Sequence, residues 1–224
     1  MIKLHWINYI KLLVFIVFLF SGCERSEPQT EQETISNASQ ENSVAQEKKS
    51  EPEKIISPIV AAARKQIGKT LIYDSSYTAL KYPMGDVPIE RGVCTDVVIR
   101  AFRDALQMDL QKLVHEDMSA AFSKYPDIWG LKKPDSNIDH RRVPNLMTYF
   151  ERKGYSIAIT QEKDDYFAGD IVTCSVQNRP HIMIVSDRLT QDGIPLVIHN
   201  IGRGTKEENL LFEFPLTGHY RFME

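Results

Sequence analysis

Cys94, His181 and His199 are the residues of this chain whose types suit them to make and break a covalent bond. Cys94 stands in Gly92-Val93-Cys94-Thr95-Asp96, ahead of an apolar series of Val97, Val98, Ala101, Phe102, Ala105 and Leu106. Those positions recur at i, i+1, i+4 and i+5, the spacing of a helix with one broad buried face, and leave Arg100, Arg103 and Asp104 on the opposite side. The spacing predicts Cys94 at or within one residue of the helix N-terminus. Unpaired backbone N–H groups and the positive end of the helix dipole favour a thiolate there. Gly92 is expected to permit a tight turn just upstream. A cysteine so placed is a candidate nucleophile. The competing reading is a small buried residue that seals a helix entrance, since free cysteine is among the most buried residue types.

A lone cysteine needs a base. Of the six histidines, His181 opens a strand after a hairpin turn and His199 lies near the end of the next. Adjacent antiparallel strands can bring two such imidazoles together. A helix packed on that sheet then presents Cys94 to His181, giving a nucleophile, a general base and an orienting third group, with helix and imidazole lowering the thiol pKa. Asn200 competes with His199 for the third role. Neighbours on a strand point to opposite faces, so one of the two meets His181.

Other residues surround this core of chemistry. Tyr77 either donates a hydrogen bond to the oxyanion or packs its loop, and the backbone N–H of Cys94 is a further oxyanion donor. Asp139, His140, Arg141 and Arg142 form a charged cluster that either binds a substrate carboxylate, arginine offering a two-pronged fork, or braces a loop by local ion pairs. Asp96 suits helix capping. Cys174 reads as a core strand residue, and its separation from Cys94 is not legible in the sequence. No His, Cys and Asp spacing matches a zinc site, and no cofactor is expected.

The elements that must position these residues follow a simple order. Ser57-Pro58 starts a helix with a stripe of Ile59, Ala62, Ala63 and Ile67, ended by Gly68. Residues 71–92 read as a long loop carrying Tyr73, Tyr77 and Tyr82, better packed than free. The Cys94 helix ends near Met108, a second helix covers 110–122, and 125–138 is loop. Pro144 opens a short helix that stops at Gly154. Strands are then predicted at 155–160, 171–176, 181–186, 196–200 and 219–222, with Gln177-Asn178-Arg179-Pro180 and Asp192-Gly193 as turns. Helices first and short consecutive strands afterwards define an α+β domain, N-terminal helices packed on a mainly antiparallel sheet.

Length and composition frame this domain. The chain has 224 residues and a formal charge of -3, which supplies no general attraction for nucleic acid. Three cysteines are too few for a disulfide framework. Lys3 and Lys11 flank an acid-free start, and residues 12–20 are uniformly large and apolar, followed by Ser21-Gly22-Cys23. That is the layout of a secretory signal over residues 1–22. Leu19-Phe20-Ser21-Gly22-Cys23 resembles a bacterial lipobox, which implies a lipid on Cys23 and a periplasm-facing or otherwise extracytoplasmic, membrane-anchored protein. Residues 24–56 are rich in Glu, Gln, Ser, Asn and Lys and cannot bury enough apolar surface to stay folded. With Cys23 they form a tether with a reach of about 30 Å, ahead of a folded domain over 57–224. A monomer is expected.

The motif blocks carry a family resemblance. Gly92-Val93-Cys94-Thr95-Asp96 with its helix, Ala168-Gly169-Asp170-Ile171-Val172, His181-Ile182-Met183-Ile184-Val185 and Val197-Ile198-His199-Asn200 follow the block order of NlpC-type papain-like cysteine peptidases. Thr95-Asp96 stands where those enzymes usually have Ser-Gly. The chain resembles more closely the bacterial family known as domain of unknown function 1287, through the Gly-Val-Cys-Thr-Asp block, Asn137-Ile138-Asp139-His140-Arg141-Arg142-Val143-Pro144-Asn145-Leu146 and Ile198-His199-Asn200-Ile201-Gly202. This resemblance covers about residues 55–222. It implies a papain-like fold with Cys94 as nucleophile, His181 as base and His199 as the third polar residue, with Asn200 as the alternative. The implied activity is that of a cell-envelope cysteine hydrolase acting on an amide, with peptidoglycan peptides as substrate class. A cell-wall binding or scaffolding lipoprotein of the same fold is the alternative.

Overall fold

A mixed apolar and cationic helix lies at the centre of the architecture. In the computed structural model, which describes residues 57–222, the Cys94 helix runs Cys94–Leu106, and Val97, Val98, Ala101 and Phe102 are fully buried. Each large apolar side chain so buried contributes about 1.5–3 kcal/mol. The opposite side is not solvated as the spacing predicts. Arg100 is buried, and its guanidinium holds Asp86 in a two-pronged pair (2.8 and 3.1 Å) and the carbonyls of Val87, Pro88 and Arg91. Arg103 likewise bonds Asp109 and the Gly85 carbonyl. A donor-rich fork can satisfy several loop carbonyls at once, and so the long loop over 71–92 is fastened down.

The described residues contain four α-helices: α1 Pro58–Arg64, α2 Cys94–Leu106, α3 Leu110–Ala121 and α4 Val143–Arg152. Strands β1 Ile72–Tyr73 and β2 Arg91–Gly92 form a two-residue parallel pair inside the loop. Strands β3 Ile171–Val176, β4 Arg179–Leu189, β5 Pro195–Asn200, β6 Thr205–Glu208 and β7 Leu216–Tyr220 form one antiparallel sheet in the order β6-β5-β4-β3-β7. The fold is thus α+β, as expected. All described residues fall within the unit Ser50–Glu224. The expected signal, Cys23 and the tether lie outside the described residues.

Several boundaries differ from the sequence expectation. Helix α1 stops at Arg64, and Ile67 is 37% exposed rather than part of the stripe. Residues 155–160 form no strand; a single bridge joins Ser156 to Tyr220. The β3–β4 turn is tighter than expected, with Gln177 and Asn178 both at positive φ (48° and 62°), so β4 starts at Arg179. Two central residues with positive φ match the twist of a hairpin. Strand β6 escaped the pattern because Thr205-Lys206-Glu207-Glu208 is polar throughout, as suits an exposed sheet edge.

The sheet has two covered faces. Ile171, Ile182, Ile184, Ile198 and Tyr220 pack with the helices and with Cys94. Val172, Cys174, Met183, Val185 and Val197 form a second cluster with Leu211 on the other side. Cys94 and Cys174, both free thiols, therefore sit in separate clusters on opposite faces of the sheet.

Candidate active site

Asp96 builds the helix start. Its Oδ2 accepts the Val93 N–H at 2.7 Å, three residues back, the geometry of an N3 carboxylate closing a helix N-terminus. Arg141 then clamps the same carboxylate with Nε and Nη2, both at 3.0 Å, in a fully buried pair. Gly92 serves clearance rather than the tight turn expected of it. Its φ is not left-handed, but an added Cβ would stand 3.0 Å from Asp96 Cβ. The capping role of Asp96 and the cysteine at the first helical position are as the sequence predicts.

The backbone N–H groups of Ile182, Thr95 and Cys94 itself lie near enough to the Cys94 sulfur to favour its charged form. This contact falls where the β4–β5 ladder has opened: Ile184 pairs with Ile198, but no pairing continues toward His181. The Asn200 side chain docks into the same opening and donates to the Gly92 carbonyl at 3.0 Å. The loop before α2 is thus tied to β5 through Asn200, and the sulfur of the first α2 residue faces the amide of Ile182.

His181 Nε2 and His199 Nδ1 are 3.1 Å apart, with the rings edge to face at 5.1 Å. Both side chains are buried, at 4% and 1% exposure. His199 rather than Asn200 therefore meets His181, and Asn200 secures the helix entrance instead. His181 pairs in register with Cys174, so the imidazoles leave the sheet on the side of the second cluster while Cys94 belongs to the first. Among the described residues, no hydrogen bond joins the sulfur to either imidazole.

Burial dominates the electrostatics. It pushes the Cys94 thiol up to about 12, with Asp96 adding to the rise and the Ile182 amide opposing it. The expected lowering by the helix terminus is outweighed, because removing a thiolate from water costs more than the nearby amides return. Burial, followed by the neighbouring His199, brings His181 down to about 3. Burial also lowers His199, against the pull of Glu208. The thiol and both imidazoles are neutral at rest, the sulfur on one side of the sheet and the imidazoles on the other.

A cavity of about 290 Å³ opens beside Cys94, lined among others by Tyr73, Trp129, Arg141, Arg142 and Pro180. Arg142 stacks over the Trp129 ring at 4.2 Å, and its pair with Asp139 is long, at 3.4 Å. Its fork is the less committed of the two arginine forks in the charged cluster. Arg141 is committed to Asp96 and to the carbonyls of Asp74 and Ser76. Asp139 accepts from the Asp135 N–H and is buried. His140 is buried too, and burial holds it down at about 4. Tyr77 is 60% exposed, donates to Asp135 and accepts from Asn137; it is not among the residues of the Cys94 cavity. Tyr73 takes that place instead. The β1–β2 pairing sets Tyr73 opposite Gly92, a contact no spacing rule announces in a two-residue strand. Among the described residues, no group of three or more His, Cys, Asp or Glu is arranged to hold a metal ion.

An α+β domain with a helix-borne cysteine docked at a histidine-bearing sheet is what fold and site define together. The chain belongs to the family described as domain of unknown function (DUF1287), whose family model matches residues 60–222. It is similar to the uncharacterized protein YijF of Escherichia coli (strain K12), 57% identical over 165 residues that span 73% of this chain and 80% of that protein.

Proposed function

We propose that this domain is a papain-like, NlpC-type cysteine hydrolase that cleaves an amide bond, with peptides of the cell-wall peptidoglycan as substrate class. The observation that carries the reading is the approach of the helix-borne Cys94 sulfur to the amide of Ile182, the residue that follows His181 of the buried His181–His199 pair. His181 Nε2 is occupied by His199, so the nitrogen left for the thiol proton is Nδ1. As the substrate carbonyl enters, the thiol proton is relayed to that nitrogen, which leaves the sheet on the other side from the sulfur, and sulfur attacks carbon. The N–H groups of the first α2 turn face the developing oxyanion. The imidazolium returns its proton to the departing amine, leaving an acyl-enzyme. Water, deprotonated by the same nitrogen, then releases the acid and regenerates the thiol. A neutral imidazole is the form this sequence needs, and its depressed pKa keeps it neutral at pH 7. Arg142, loosely held over Trp129, is the group we assign to a substrate carboxylate.

The anchoring of this domain to a membrane through lipid on Cys23, facing the periplasm, rests on the signal-like N-terminus. Radiolabelled fatty acid should enter the full chain and should not enter Cys23→Ala. For the activity, the full chain in detergent is incubated with muropeptides. Product from wild type and none from Cys94→Ala supports the hydrolase; equal product from both defeats it. The burial of the thiol favours a second reading, a cell-wall binding module of the same fold. In that case muropeptides bind with no product from either protein.

A further inference from the structure

The back of the histidine pair opens into a polar cavity of about 390 Å³, on which His199, Arg203, Lys206 and Glu208 converge. The β5–β6 ladder builds this wall. Lys206 lies directly opposite His199 in register, and Glu208, two residues on, shares its face. Nε2 of His199 is buried and has no hydrogen-bond partner among the described residues. Oε2 of Glu208 faces it at 3.5 Å, while Oε1 of the same carboxylate lies 3.6 Å from Lys206 Nζ. Glu208 is 37% exposed at its side chain, so a shift of about half an ångström brings the contact to hydrogen-bond length.

From this geometry we infer that Glu208 is a positioning residue that fixes the tautomers of both histidines and so selects the nitrogen that acts as base. A carboxylate accepts and never donates. Facing His199 Nε2, it favours the tautomer that carries the proton there. Nδ1 of His199 is then an acceptor. The 3.1 Å contact with His181 must therefore be donated by His181 Nε2. A neutral imidazole holds one N–H, so His181 Nδ1 is left bare. That is the nitrogen required by the proposed hydrolysis, and this consequence rests on that reading. Without Glu208, nothing on the far side prevents the opposite arrangement, in which His199 donates from Nδ1 and His181 carries its proton on Nδ1, where it is useless as a base. Lys206 and Arg203 stand outside the chain of donors.

The test uses the full chain in detergent, labelled with ¹⁵N at histidine, and two variants. In wild type, His181 and His199 should both show the Nε2–H tautomer. Glu208→Gln retains an acceptor oxygen and should keep that pattern. Glu208→Met removes it, and the His181 signals should move toward the Nδ1–H form. With muropeptide substrate, Glu208→Met should lose about tenfold to a hundredfold in kcat at unchanged KM and unchanged thermal midpoint, within the range of a misplaced general base; Glu208→Gln should largely restore it. A His181 that carries Nδ1–H in wild type, or a spectrum indifferent to Glu208→Met, overturns the inference. If wild type has no turnover but the tautomers respond as described, the hydrolase reading fails and the role of Glu208 in setting tautomers stands.

Discussion

His219 and His181 sit on strands of the same sheet and are equally withdrawn from water, at 1% and 4% exposure, yet their surroundings are opposite. Around His219 every polar atom has a fixed partner. Its Nε2 meets Asp170 Oδ2 at 2.8 Å, its Nδ1 meets the Ala158 carbonyl at 3.2 Å, and its ring stacks on Tyr166 at 4.3 Å. Asp170 also accepts from both Arg221 nitrogens and from the Phe167 N–H. Against the cost of its burial, Arg221 and His219 hold its carboxyl below the usual range. Around His181 there is a single neutral partner and one nitrogen to spare. The first arrangement is how a histidine braces a fold: charge is buried only when paired and fully bonded. The second leaves His199 Nε2 buried without a hydrogen-bond partner among the described residues, and a buried unsatisfied polar atom costs stability.

Breaking each cluster separately should show the difference. Asp170→Ala strands Arg221 and His219 and should cost about 3–5 kcal/mol in urea unfolding. His181→Ala should leave the unfolding midpoint within about 1 kcal/mol of wild type or raise it, while turnover falls about a thousandfold or more. An equal loss of stability in both variants would erase the distinction.

Acid separates the clusters next. His181 titrates at about 3 in the fold against 6.5 for an ordinary histidine. Below the higher value, the unfolded chain takes up a proton that the folded one refuses. The stability tied to His181 is therefore complete above about pH 6.5 and is lost as pH falls toward about 3, by a few kcal/mol. Unfolding midpoints at pH 7, 5 and 4 should decline less steeply in His181→Gln. Asp170 also loses its stabilising ionisation on acidification, so the difference between the two proteins isolates the histidine.

Smaller effects sharpen the edges of the site. Asn200→Ala removes the bond to the Gly92 carbonyl and should cost about 1–2 kcal/mol in thermal unfolding, with turnover reduced less than in His199→Ala. Tyr77→Phe should change stability by no more than about 0.5 kcal/mol and leave turnover unchanged, since its hydroxyl serves Asp135 and Asn137 rather than the cavity. A large loss of turnover in Tyr77→Phe would return it to the reaction.

The parts of this arrangement legible in the sequence are those written in local periodicity. The apolar spacing after Cys94, with Asp96 two residues beyond it, marks the helix and its first turn. The strands bearing His181 and His199 follow from alternation, and alternation also requires that His199 and Asn200 part ways. Which of them meets His181, however, depends on register and on the opening of the β4–β5 ladder. Residues far apart in the chain decide both. Local pattern was equally silent on the arginines. Arg100 and Arg141 occupy positions that a helix or loop ordinarily gives to solvent, and the folded chain buries them because loop carbonyls and Asp86 or Asp96 supply enough acceptors.

By itself, then, the sequence determined the order of the elements, the helix-borne cysteine and the pair of strand histidines, because propensity, capping and two-residue alternation act between near neighbours. Tertiary structure alone decided that burial outweighs the helix terminus at the thiol, that Tyr73 replaces Tyr77 beside it, and that Glu208 comes to face His199. Desolvation and register sum over the whole packed domain, and no window of adjacent residues contains either.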